Sequence, residues 1–127
     1  MENVTERIKE FTYEYYKLLD AGADVEKLLA FFSDDFVIVE GEDVIDSKEV
    51  YVQWYEAVKA NILNRKHTLE AFDAGHVKND MYLAKMKIHF SAETPDGSKI
   101  EMRGVIDWLI KLDDSGKLTI TEYEIKI

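Results

Sequence analysis

The spacing of apolar residues in this chain changes near position 63 from the period of a helix to the period of a strand, and that change restricts the folds open to it. Before it, Val4, Ile8, Phe11, Tyr15, Leu18 and Leu19 fall on one helical face, with Asn3 and Glu6 spaced as a capping box and Gly22 as a stop. Asp24 is placed to open a short second helix with Val25, Leu28, Leu29 and Phe32 on one side. A strand over 36–40 follows, with a short partner at Val44 and Ile45. Asp46 and Glu49 form a second capping box, opening a helix to about Leu63 with Val50, Tyr51, Trp54, Val58 and Ile62 inward.

After the change, segments 66–76, 81–92, 99–112 and 117–127 alternate as strands do. Lys78-Asn79-Asp80, Pro95-Asp96-Gly97 and Asp113-Asp114-Ser115-Gly116 supply the turns between them. Short loops between successive strands require antiparallel neighbours. The order predicts an α+β domain in which N-terminal helices lie on one face of a curled antiparallel sheet and leave an open-ended cavity between the two layers. With 127 residues the chain is read as one domain spanning 1–127.

Charge and cysteine usage narrow the functions. A formal net charge of -10 repels phosphate backbones and anionic headgroups, so no nucleic-acid or membrane partner is expected. No cysteine is present, which removes disulfides, thiolate metal sites and a cysteine nucleophile together. The charged N-terminus has no apolar core of a signal peptide, and a cytoplasmic location is expected. His67, His76 and His89 stand without an i,i+4 partner, so neither metal nor cofactor is expected. The glycines are scattered singly, which leaves no phosphate-binding loop.

The strand over 99–112 has two unlike faces. Ile100, Met102, Gly104, Ile106, Trp108, Ile110 and Leu112 form an apolar set, read as the outer face that a second subunit covers in a homodimer. Arg103, Val105, Asp107 and Leu109 alternate with them and are read as facing a partly polar cavity, shared with Tyr15 and Trp54 as the substrate pocket. Tyr13 and Tyr16 lie toward the polar side of the first helix and are read as surface aromatics.

Three segments carry a resemblance: Tyr15-Tyr16-Lys17-Leu18-Leu19-Asp20-Ala21-Gly22, Phe32-Ser33-Asp34-Asp35-Phe36-Val37-Ile38-Val39-Glu40, and Val105-Ile106-Asp107-Trp108 with the turn that follows. In this order they resemble the nuclear transport factor 2-like superfamily, in its SnoaL-like and ketosteroid-isomerase-like branch. The resemblance implies a cystatin-like cone with an internal pocket. It also implies a catalytic set in which Glu40 is the general base, Tyr15 donates a hydrogen bond to an oxyanion and Asp107 is a protonated acid beside it, the arrangement of ketosteroid isomerase. Glutamate stands where those enzymes have aspartate, and Gly41-Glu42-Asp43 replaces their Asp-Pro-containing turn. The function expected is binding of a small hydrophobic molecule with proton transfer on it, as an isomerase, dehydratase or cyclase. The alternative is a non-catalytic ligand-binding or assembly domain of the same fold. The partner of Asp107 decides between them, because an ion pair with Arg103 keeps the carboxylate charged and unable to donate.

Overall fold

The structure is a computed structural model that describes residues 3–126. Its elements are α1 (Val4–Ala21), α2 (Val25–Leu29), β1 (Phe32–Glu40), β2 (Asp43–Ile45), α3 (Lys48–Asn61), β3 (Leu63–Lys78), β4 (Met81–Glu93), β5 (Lys99–Leu112) and β6 (Leu118–Lys126). The strands form one six-stranded sheet in the order β2-β1-β6-β5-β4-β3. From β3 to β6 it is the antiparallel meander that the turns require, and β1 joins it by parallel pairing with β6. The α+β class and the curled sheet around N-terminal helices are as the sequence predicts. Among the described residues no helix is long and apolar enough to cross a membrane.

Local chemistry sets the helix ends. Asn3 caps α1 by accepting from the Thr5 backbone N–H, so its partner lies one residue earlier than in a capping box. Gly22, with φ 69°, closes α1 in the left-handed conformation that glycine adopts without a Cβ clash, and the N–H groups of Gly22 and Ala23 bind the carbonyls of Leu19 and Leu18. Ser47, rather than Asp46, caps α3 by accepting from the Val50 N–H. Phe32 belongs to β1 and not to the short helix, because its backbone joins the ladder opposite Ile120.

The inner face of the sheet is read directly from burial. Ala84, Met86 and Ile88 of β4, Ile106, Trp108 and Ile110 of β5, and Leu118, Ile120 and Tyr123 of β6 are all buried against the helices. An extra residue in β6, at the shift between the pairs Leu109–Glu122 and Ile110–Ile120, lets Ile120 and Tyr123 share this face. Trp108 is fully buried, edge-on to Tyr15 at 5.5 Å and stacked on Tyr16 at 5.7 Å. Such ring pairs contribute about 0.5–1.5 kcal/mol each beyond the area they bury.

This reverses the expected faces of β5. Trp108 is core and not a dimer surface. Arg103, Val105, Asp107 and Leu109 lie on the outer face, where Leu109 stands opposite Leu83, and Asp107 opposite Lys85 and Glu124. A sheet covered on one side turns its most apolar set toward the cover. The regular pairing of β5 with β4 through its whole length leaves no bulge there to exchange the two sets.

Candidate functional site

Helix α1 lies along β3 with its two ends tied. Near one end Thr5 Oγ1 donates to the Ala74 carbonyl at 3.4 Å, and near the other Asp20 meets His67. The helical rise from Thr5 to Asp20, about 22 Å, matches the strand length from His67 to Ala74, about 23 Å. Arg65 clamps the second end. Its guanidinium donates to Leu19 O at 3.0 Å and to Ile62 O at 2.7 Å, satisfying carbonyls at the C-terminal ends of α1 and α3 with one cation. The clamp fixes the last turn of α1 against the first residues of β3.

Within that junction Asp20 accepts twice from His67, from the backbone N–H at 2.8 Å and from ring Nδ1 at 2.6 Å. The two side chains are 18% and 16% exposed, which shields their pairing from water. The imidazole lies between Tyr16, stacked at 4.6 Å, and Phe90, also at 4.6 Å. A carboxylate oxygen accepts from a ring N–H, so in this bond Nδ1 is the donor, and His67 lines the adjoining cavity.

That cavity is one of two adjoining chambers between α3 and the sheet. The inner chamber, about 270 Å³, is walled by Val58, Ile88, Phe90 and Ile106 with Arg65 and His67. The outer chamber, about 430 Å³, is walled by Tyr15, Ile38, Ile45, Val50 and Gln53 with Asp43. Glu40, Trp54, Tyr123 and Ile125 line both and join them into one cleft.

Two phenol pairs stand behind it. Tyr15 and Tyr51 share a hydrogen bond of 2.8 Å, and Tyr16 and Tyr123 one of 2.5 Å. Burial, with neighbouring phenols adding to it, holds Tyr15 and Tyr16 well above the ordinary tyrosine range, and burial raises Tyr51 and Tyr123 in the same direction. The charge of Glu40 adds to the rise at Tyr123. All four remain neutral near pH 7 and can donate. In each pair one hydroxyl proton makes the shared bond, and Tyr15 and Tyr123 are the members that line the cleft.

The cleft brings together Tyr15, Glu40 and Trp54 of the residues singled out from sequence. Asp107 is not among them. Its Oδ2 accepts from Lys126 Nζ at 3.2 Å on the outer face, and Arg103 pairs with Glu70 at 3.1 Å, so Asp107 lies away from the cleft and the Asp107–Arg103 pair is not formed. Arg103 reaches the rim of the inner chamber, while Val105 and Leu109 line neither chamber. Tyr16, read as a surface aromatic, is 5% exposed. Asp20, His67, Tyr16 and Tyr123 are the residues that sequence reasoning missed. One signal was available: Asp20 sits in the last turn of a helix without a basic residue there, where a carboxylate opposes the helix dipole and calls for a partner. His76 and His89 bind Asn79 O and Glu101 away from this site. Among the described residues no group of three or more His, Asp or Glu is placed to hold a metal ion.

No protein-family model and no curated protein matches the sequence. Solved structures do match in shape. A protein of Novosphingobium aromaticivorans, provisionally assigned as an aromatic ring hydroxylase, superposes with a TM-score of 0.87 at 17% identity, over 100% of this chain and 92% of that one. A second protein of that organism, provisionally assigned as a scytalone dehydratase, gives 0.84 at 14% identity over 93% and 79%. A nuclear transport factor 2-like superfamily protein of Salmonella enterica gives 0.84 at 17% identity over 97% and 89%. The chain has the nuclear transport factor 2-like fold.

Proposed function

We propose that this chain binds a small, largely apolar molecule across the two chambers and moves a proton on it. In this reading His67 is the base, Asp20 positions it, and a phenol of the Tyr15–Tyr51 or Tyr16–Tyr123 pair donates to the oxygen that gains charge. The observation that carries the reading is the 2.6 Å bond between His67 Nδ1 and Asp20 in the wall of an apolar cavity. It fixes the tautomer, leaves the Nε2 lone pair available, and stabilises the imidazolium that forms on proton uptake.

The chemistry suited to these groups begins with a carbon acid next to a carbonyl. Nε2 takes the proton, the electron pair moves into the carbonyl, and a neutral phenol donates to the enolate oxygen. Where a C=C bond of the substrate is conjugated with the enolate, return of the proton to its far carbon gives an isomer. Departure of a β-hydroxyl as water, protonated by the imidazolium, gives dehydration. A structural neighbour provisionally assigned as a dehydratase supports the second outcome by analogy of fold. Glu40, at the exposed junction of the chambers, is placed to meet the ligand and lacks the enclosed setting that His67 has.

The test is exchange of the activated methylene of 2-tetralone for deuterium, followed by NMR. The wild-type protein accelerates exchange over buffer, and His67→Gln removes about 10²–10⁴-fold of the acceleration. Asp20→Asn lowers kcat more than it raises KM, because Asp20 acts on the base and not on the ketone. Equal rates for wild type and His67→Gln contradict the reading. The second reading, a non-catalytic ligand-binding or assembly domain, is favoured by the separation of Asp107 from Tyr15 and Glu40. It predicts no exchange above buffer.

A further inference from the structure

The inner chamber carries a cation that no carboxylate neutralises. Arg65 lines it, and its two hydrogen bonds go to the Ile62 and Leu19 carbonyls, neutral groups that bring only the partial charge of a helix end. It forms no ion pair with a described residue. A guanidinium has five N–H donors, so three of them, the buried Nε included, have no acceptor among the described residues. Arg103, at the rim of the same chamber, is by contrast paired with Glu70. The register sets these cations apart from Glu40, the carboxylate among the described lining residues. Arg65 and His67 begin β3, Phe90 of β4 lies opposite His67, and Met102 of β5 lies opposite Phe90, whereas Glu40 ends β1 on the other side of the sheet.

We infer that the inner chamber binds the carboxylate of an organic acid, whose apolar body extends past Trp54 and Tyr123, the residues common to both chambers, into the outer one. A partly buried charge in a wall of Val58, Ile62, Ile88 and Ile106 is costly while it lacks a counter-charge. A carboxylate accepting from the guanidinium supplies that charge in a charge-assisted bond. One guanidinium balances one negative charge, which favours a carboxylate over a dianionic phosphate. The net charge of -10 opposes an anion at long range, but that field is screened beyond about 8 Å at physiological ionic strength, and Arg65 acts at contact. The inference rests on the cleft being a ligand site, as proposed above, and not on the proton transfer.

The experiment is calorimetric titration with three ligands of one shape: 4-tert-butylbenzoate, the neutral 4-tert-butylbenzamide and the cationic 4-tert-butylbenzamidine. The wild-type protein binds the benzoate about tenfold more tightly than the amide, in line with a charge-assisted bond, and binds the benzamidine most weakly. Arg65→Met removes the preference, with circular dichroism to show that the fold is kept. Because Arg65 also ties the ends of α1 and α3, a second variant leaves it in place. Met102 lines the chamber and is 41% exposed, so Met102→Glu gives the chamber a carboxylate of its own, and the preference falls to unity or below. Met102→Gln keeps it. His67→Gln also keeps it, so loss of exchange activity and loss of anion preference are separate results. Equal affinity for benzoate and amide, or a preference that survives Met102→Glu or a folded Arg65→Met, overturns the inference and leaves the cleft a ligand site. Failure of all three ligands to bind at millimolar concentration overturns it together with the reading of the cleft.

Discussion

At the scale of single residues, the account turns on neighbours in sequence that face opposite ways. Trp108 is wholly buried beneath α1, while Asp107 stands on the outer face with Lys126, whose side chain is 58% exposed. Trp108→Ala is therefore expected to destabilise the fold by about 3–5 kcal/mol, the cost of a large cavity. Asp107→Asn is expected to cost less than about 1 kcal/mol, because a partly solvated ion pair contributes little. Urea denaturation of both variants checks the assignment, and the opposite ranking would place Asp107 inside. The alternation of β5 was legible in the sequence, and its two sets are the ones observed. The choice of inner set was missed, because the apolar set was read as a face for a second subunit and the mixed set as suited to a partly polar cavity. The more apolar set containing Ile106, Trp108 and Ile110 is the one that needs cover. Asp20 and His67 were hidden by their separation of 47 positions in sequence.

At the scale of elements, the cleft exists because α3 stands away from the sheet and presents Tyr51, Trp54, Tyr55 and Val58 toward it. Tyr51 and Tyr55 are the buried anchors of α3, and the Tyr55 hydroxyl donates to the Ala23 carbonyl at 2.6 Å. The N-terminal end of α3 depends on Ser47, which caps the Val50 N–H. Ser47→Ala is expected to cost about 0.5–2 kcal/mol, with Asp46→Ala near neutral, as thermal melts of the two variants will show. Loosening this end also lowers ligand affinity, since Val50, Gln53 and Trp54 form one wall of the outer chamber. Element order and the turns of the meander were legible from period and turn chemistry. The extra residue in β6 and the parallel joining of β1 to β6 were not, because both depend on contacts between distant strands.

At the scale of the whole molecule, an acidic exterior encloses a core dense in neutral phenols, and this sets an alkaline limit. Tyr15, Tyr16, Tyr51 and Tyr123 have folded-state values raised above the ordinary 10.0, chiefly by burial. Their contribution to stability is complete below the unfolded value and is lost as pH rises through the folded ones, because the unfolded chain ionises first. Urea midpoints are expected to fall from about pH 10 upward, with phenolate absorbance of these residues appearing in the same step as unfolding. A full phenolate signal from a chain that keeps its native circular dichroism contradicts this. The central claim, a base held ready in the cleft, is tested most directly by nitrogen-15 NMR of His67 in its neutral form. The account predicts a protonated, strongly hydrogen-bonded Nδ1 and an unprotonated Nε2, with the bond signature lost in Asp20→Asn. A proton on Nε2, or a spectrum that Asp20→Asn leaves unchanged, contradicts it.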